Sequence, residues 1–410
     1  MKENSAMADA RTAHDWHVSV CDDLRSVGEA EWDALLGPGD FYSSHKWLRV
    51  AEVHDTFRAR YVVVRGKDGR LLAGLPFYTT DEAPPDKPYD PYLALEIESL
   101  RPDVPRDGLY PAVLLGGRAG YTTRIPVAPD LDEATRADAV RCLVDACREA
   151  VPDTVRSFSL LYADASTAGA LSSAAAPATT PQLAAGDTVL PVTWDNFDGY
   201  LDMLSSSRRR AARKDLAAFE ASGLAVENGS LSRDHSRMAT LLANLNRRYG
   251  ANSSERRLRA HIGRQAEVFG DEPLCLTISQ DSKITGFSLL YPWKDELYFR
   301  IVGFDYERIP EEAGAYFTLA FYEPIRHAIR NGVKAIRFSL ETSDAKVRRG
   351  AILEPRFSMM SFPDGLVRSV DARRRNSEQL TELERRFGGV LGALPPAYWE
   401  RTSWQDAGLL

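Results

Sequence analysis

No run in this 410-residue chain approaches the roughly 18 consecutive apolar residues that a membrane helix requires. The first residues, MKENSAMADARTAHD, are polar and lack the apolar segment of a secretory signal. Cysteine is scarce. Cys21, Cys142, Cys147 and Cys275 show no metal-ligand spacing, and the Cys142/Cys147 pair within a helical pattern fits small buried side chains, so no disulfide framework is implied. These features predict a protein of the reducing cytoplasm with no membrane segment. The seven histidines (14, 17, 45, 54, 235, 261, 327) also lack ligand spacing. The sequence contains no GxSxG, HExxH, Walker A or paired CxxC motif, and no GxGxxG after a strand. Nucleophilic triads and metal hydrolysis are therefore poor readings, and neither a metal nor a bound cofactor is expected. Direct transfer remains, in which the protein positions two substrates and stabilises developing charge.

What is present is an ordinary globular composition, 44% hydrophobic and 27% charged, with a net charge of −7. That charge argues against a surface that binds nucleic acid everywhere. Positive charge is nevertheless concentrated in three blocks of the second half: Arg208, Arg209, Arg210, Arg213 and Lys214; the stretch Arg247–Arg264; and Lys346–Arg349. Each block reads either as a solvated helix face or as part of a shared site for an anion.

A chain of this length predicts two domains, and a weak internal repeat locates them. YVVVRGKDGRLLAGLPFY (Tyr61–Tyr78) and LCLTISQDSKITGFSLLY (Leu274–Tyr291) align without a gap as two hairpins, Asp68 with Asp281 and Tyr78 with Tyr291. Leu109–Gly116 then matches Leu297–Phe304, each a strand opening on Leu-Tyr. Helices over Leu131–Ala150 and Ala313–Asn331 follow, and each leads to an FSL strand, Phe158–Leu160 and Phe338–Leu340. Four similarities in one order predict two copies of one α+β unit. The expected domains are 15–190, a degenerate first copy; 191–370, carrying the active site; and a charged helical tail, 371–410. Residues 1–14 are expected to be disordered, the Pro- and acid-rich Asp81–Gly108 to be a loop or lid, and Ala163–Gly186 to be a helix end plus an irregular connector.

The densest segment is Glu296–Pro355. A strand leads through a polar loop into an amphipathic helix stopped by Gly332; a second strand follows, then Glu341 and the basic run Lys346, Arg348, Arg349, Gly350. This layout, with Phe321–Tyr322 in the helix and SSSRRRAARKDLAAFEASG upstream, resembles the Fem-like and CelD-like branches of the GNAT acyltransferase superfamily. More narrowly it resembles the bacterial peptidoglycan-biosynthesis or FemAB-like acyltransferases, over about Leu190–Pro355. The resemblance implies two tandem GNAT-like domains, with mixed central sheets flanked by helices. One departure stands out. Where ordinary GNAT donor sites grip a pyrophosphate with a glycine-rich helix start, this chain has Arg308-Ile-Pro-Glu-Glu-Ala-Gly-Ala315, with Glu311 and Glu312 in place of phosphate-binding glycines.

The function expected from this resemblance is transfer of an aminoacyl group from aminoacyl-tRNA to an amine or hydroxylamine of a small molecule or peptide, in a bacterial biosynthetic setting. The alternatives are an acyl-CoA-dependent N-acyltransferase and a non-catalytic binding protein on the same fold. Lys346 and Arg349 match the family motif as donor or phosphate contacts. Glu341 either deprotonates the attacking amine or pairs with Lys346 or Arg348. Of Tyr316 and Tyr322, six apart, one belongs to the core and the other serves the leaving group. Arg348, Arg208, Arg209 and Lys214 are candidate phosphate contacts, and Arg300, Asp305 and Tyr306 would edge the cleft.

Overall fold

The computed structural model describes residues 15–52, 57–84, 87–174, 180–251, 254–362, 365–366, 369–407 and 409–410. The expectation of disorder over residues 1–14 lies outside them, and the side chains of 311, 362, 365–366 and 369–370 are also outside the description. Among the described residues the main strands are β1 (His17–Cys21), β2 (Arg58–Arg65), β3 (Leu71–Thr80), β4 (Ala112–Leu115), β5 (Ser157–Ala163), β6 (Gln182–Pro191), β7 (Val226–Asn228), β8 (Leu274–Gln280), β9 (Lys283–Trp293), β10 (Glu296–Phe304), β11 (Ala335–Ser339) and β12 (Ile352–Phe362), with the two-residue β13 (Gly365–Leu366) paired to β12.

The chain divides into two compact units. The first holds the described residues up to Gly186 together with Glu354–Gly388 and Leu394–Leu410; the second holds Asp187–Leu353 and Gly389–Ala393. The chain crosses from one unit to the other within β6 and returns within β12. This division differs from boundaries at 190 and 370 because β12 pairs antiparallel with β5, Phe357 opposite Ala163 and Ser361 opposite Phe158, which carries residues 354–362 back to the first sheet.

Within the first unit the strand order is β1-β2-β3-β4-β5-β12, and within the second it is β7-β8-β9-β10-β11-β6. In both, the first four strands meander antiparallel, the fourth pairs parallel with the fifth (β4 with β5, β10 with β11), and an antiparallel strand ends the row. In both, a helix forms the crossover between the parallel strands, because such strands cannot be joined by a tight turn. These are Glu133–Glu149 in the first unit and the helical run from Ala315 to Arg330 in the second. The architecture is the pair of α+β units that the repeat implied.

The two hairpins differ in their turns. Asp281 and Ser282, both at positive φ (50° and 59°), form the two-residue link between β8 and β9. The β2–β3 link is longer; the Gly66 N–H donates to the Arg70 carbonyl at 2.9 Å, and Gly69 takes φ 80°. Asp68 and Asp281 therefore do not hold the same turn position. The Asp81–Gly108 segment is also more ordered than a loop. Its described residues form four short helical turns, bury Tyr89, Leu95 and Ile97, and hold Asp90 fully buried against the Tyr110 hydroxyl and Arg106. Likewise the described residues of Ala163–Gly186 form the helix Ala165–Ala174 and the start of β6, and the apolar Ala168, Leu171 and Ala174 pack as core.

In the second unit the helix Leu231–Arg248 covers one face of β10 at close range. Its buried Met238, Ala239, Leu241 and Leu242 repeat at helical spacing. Gly303 of β10 makes that approach possible: a Cβ there would lie 2.6 Å from the Leu241 carbonyl carbon and 2.7 Å from the Leu242 nitrogen. Both neighbours are backbone and cannot swing aside. Gly303→Ala should cost about 1–3 kcal/mol, the usual toll of overpacking, measured as a lowered midpoint in urea unfolding; an unchanged midpoint would show that the helix can lift at no cost.

Candidate functional site

β10 and β11 pair only at Glu296–Tyr298 with Ala335–Arg337. Beyond that point a bulge at Phe299/Ile301 in the β10–β9 register bends β10. Phe299, Phe321 and Phe338 pack beside one another where the two strands part, with ring centroids 5.0–5.7 Å apart along the chain of contacts.

The helical run that follows β10 is irregular. Pro324 has no N–H for the carbonyl one turn back and crowds it, and the turn just before it, Thr318–Tyr322, is widened to π geometry. Tyr322 closes that turn and is fully buried. Its hydroxyl donates to Asp215 Oδ2 at 2.7 Å. Asp215 lies on the helix Ser206–Ala221, on the inward face shared with Ala212 and Phe219. Arg349 donates to the same Oδ2 at 3.3 Å, and its guanidinium lies 3.6 Å from the Phe317 ring centroid and 5.0 Å from that of Phe321. The Tyr200 hydroxyl donates to the Arg349 carbonyl at 3.2 Å. Burial raises the Tyr322 hydroxyl well above the ordinary phenol range and does the same to Tyr200, so both stay protonated.

Both hydrogen bonds to Asp215 fall on Oδ2, so the carboxylate is oriented with Oδ1 left for another donor. Its side chain is 21% exposed, while that of Arg349 is 13% exposed. The sequence reading missed Asp215. It sits directly after the cluster of Arg208–Lys214, where a carboxylate reads as a local charge partner; its position at i+7 from Arg208, on the face that also carries Ala212, was the available signal. Gly314 fixes its surroundings: at φ 69° it brings the start of the β10–β11 crossover so close that a Cβ would stand 2.3 Å from the Asp215 carbonyl oxygen.

Lys346 and Glu341 have other surroundings. Lys346 is buried, and its Nζ donates to the Phe338 carbonyl at 2.6 Å and the Ser339 carbonyl at 2.9 Å, tying the Ser343–Val347 turn to the end of β11. Burial pulls its ammonium down to about 8, and the negative charges of Asp187 and Glu341 offset this only in part. Below it, Arg337 pairs with Glu296 (Nε to Oε2, 2.7 Å) and the Tyr298 hydroxyl donates to the same carboxylate at 3.1 Å. Glu341 is exposed on the turn after β11.

Of the remaining candidates, Tyr316 is half-buried against Phe304 and Phe317, with its hydroxyl raised by burial. Arg209 caps the end of the helix Phe197–Met203, donating to the carbonyls of Leu201, Asp202 and Leu204, and pairs with Asp202. Asp305 pairs with Arg237 at 2.9 Å, and Tyr306 lies under Arg248 at 4.4 Å. Arg300 of β10 lies beside His261 of the helix Glu255–Phe269 at 3.4 Å. Lys214 and Arg348 are exposed, and Arg208 is half-buried. The structure thus joins Arg349 and Tyr322 in one cluster with Asp215, and places Arg209, Asp305, Tyr306 and Arg300 in contacts of their own. Among the described residues no group of His, Cys, Asp or Glu is arranged to hold a metal, and no helix is long and apolar enough to cross a membrane.

The sequence signature of the FemAB_like family, peptidoglycan biosynthesis/recognition, matches residues 23–372. No curated protein matches the chain significantly. Among solved structures it is similar to FemX, with a TM-score of 0.54 and 12% identity over 81% of this chain and 96% of that one. A conserved protein of unknown function from Bacteroides thetaiotaomicron VPI-5482 gives a TM-score of 0.50 and 11% identity over 82% and 97%. A tandem GNAT protein from the clavulanic acid biosynthesis pathway gives 0.46 and 11% over 84% and 98%. At such identities the likeness is one of fold.

The buried Lys346 makes stability depend on pH in a defined direction. Its folded pKa lies below the ordinary 10.5, so between about pH 8 and 10.5 the unfolded chain binds more protons and stability rises with pH. Relative to Lys346→Met, the wild-type protein should gain on the order of 2 kcal/mol between pH 7.5 and 10, read from urea unfolding at both pH values. A constant difference between the two proteins would contradict the burial of a titrating amine.

Proposed function

The chain belongs to the FemAB_like family, and we propose that it transfers an aminoacyl group from aminoacyl-tRNA to the amine of a small molecule or peptide. The family's role in peptidoglycan biosynthesis or recognition makes a peptidoglycan precursor peptide the first acceptor to test. The observation that carries this reading is the oriented carboxylate of Asp215. Its Oδ2 is held by Tyr322 and Arg349, and Oδ1 is left to accept a proton from an attacking amine. In the reaction the amine nitrogen bonds to the ester carbonyl carbon, the ester C–O bond breaks, and the amine proton passes by way of Asp215 to the leaving ribose oxygen. Arg349 and the Tyr322 hydroxyl keep the carboxylate in place and damp the charge change as the proton moves on and off it.

Two features support tRNA over acyl-CoA as donor. The helix start that would cradle a pyrophosphate has its Gly314 backbone pressed on Asp215 and carries the exposed Glu312. In addition, Tyr249 is 74% exposed next to the exposed Arg247 and Arg248, the exposed Arg256 and Arg257 open the following helix Glu255–Phe269, and the Tyr249 hydroxyl is close enough to Tyr316 to add to the rise that burial causes there. An exposed aromatic among arginines suits stacking on an unpaired base with phosphates held around it.

The direct test is transfer of a labelled amino acid from aminoacyl-tRNA, with and without RNase. Asp215→Asn should lower turnover by about 10²-fold or more, as loss of an acid–base group does, while Glu341→Gln stays within about threefold of wild type. RNase-insensitive transfer, or saturable stoichiometric acetyl-CoA binding by calorimetry, would favour an acyl-CoA N-acyltransferase instead. Tyr249→Ala with Arg256→Glu should weaken tRNA binding and flatten its salt dependence, each lost phosphate contact lowering the slope by about one; an unchanged slope would return this face to plain solvation.

A further inference from the structure

Arg208 lies two turns before Asp215 on the same inward helix face, and Arg348 directly precedes Arg349, which reaches back to Asp215. The helix Ser206–Ala221 and the Ser343–Gly350 segment therefore meet along this face, with Arg349 engaged and two more guanidinium groups beyond it. No acidic side chain among the described residues pairs with either Arg208 or Arg348. The Arg208 Nη1 atom is sealed from solvent with no hydrogen-bond partner; burial first, and then the positive charge of Arg348, pull its guanidinium below the ordinary range. Two like charges brought together from separate elements repel each other, and an enclosed donor without an acceptor costs about 1–3 kcal/mol. An anion seated between them would remove both costs at once. Arginine forks match a tetrahedral phosphate by paired N–H donors.

We propose that Arg208 and Arg348 form a phosphate-binding subsite set off from the Asp215 carboxylate along the helix, positions 208 and 215 being separated by a rise of about 10 Å. This deepens the donor assignment above. A nucleotide repeat spans less than that distance, so the phosphodiester held here would lie one or two linkages from the ester that reacts. Asp215 then marks the reacting end of the donor and the arginine pair measures back along its chain. A free phosphate offers the same chemistry, so the two sources have to be separated experimentally.

Binding is the readout, independent of turnover, so that this subsite and the transfer reading can fail separately. Wild type, Arg208→Gln, Arg348→Gln and the charge-preserving Arg208→Lys would be titrated with inorganic phosphate and, separately, with a short single-stranded RNA. Wild type should bind at least one of the two saturably at one site, each glutamine variant at least tenfold more weakly, and Arg208→Lys between them. Saturation by RNA alone identifies the phosphodiester as ligand, and saturation by both identifies the phosphate group itself. Because removing one of two repelling charges breaks no contact, Arg208→Gln should also melt no lower than wild type without ligand and lose the rise in Tm that ligand gives. Equal affinity of the glutamine variants and wild type, or saturable binding of neither ligand, would overturn the subsite.

Discussion

The Arg349 guanidinium is the point on which the second unit's working face depends. Its charge meets Asp215 of one helix, its plane lies on two phenyl rings of another, and its backbone carbonyl takes the Tyr200 hydroxyl of a third. An arginine can do this because it is planar, permanently charged and weakly hydrated; a lysine would lack both the fork and the stacking plane. Removing one partner of a largely enclosed ion pair typically costs about 3–5 kcal/mol, because the other charge is left without compensation. The cluster is thus as much a device for positioning a carboxylate as a contributor to stability. The carboxylate comes out with one oxygen spoken for and one available.

Much of the architecture was legible in the sequence because it rests on local chemistry. Asp281–Ser282 marks a tight turn, Gly332 ends a helix at φ 67°, and near-continuous apolar runs give the strands of each hairpin. The order of elements in the two halves then repeated closely enough to imply two sheets of one topology. Long-range pairing was less visible. Nothing local in Ile352–Phe362 states that it will lie beside β5, nearly 200 residues earlier in the chain. The segment Asp81–Gly108 was read as a loop from its prolines and acids, yet the buried Asp90 shows those acids forming internal partnerships with Arg106 and Tyr110.

At the site, residue type was a better guide than role. Tyr322 and Arg349 stood out and do meet, while Lys346 stood out equally and is spent on two main-chain carbonyls. Charge in a sequence does not reveal whether a side chain faces a ligand or its own backbone. Asp215 shows the converse. Beside a run of arginines a carboxylate reads as a local charge partner, and only the fold reveals that Asp215 turns toward Tyr322 and Arg349.

The path of the chain through β6 and β12 has a consequence for how the protein is made. Synthesis proceeds from the N-terminus, and domains ordinarily fold as they emerge. The first unit breaks that order: β5, paired on one side with β4, gains its second neighbour only when β12 leaves the ribosome, after every strand of the second unit has been produced. Until then β5 presents unpaired peptide groups, the kind of edge that recruits stray strands. The half of the molecule that is synthesised first is the half that is completed last, and its exposure during that interval is set by the time needed to translate the other.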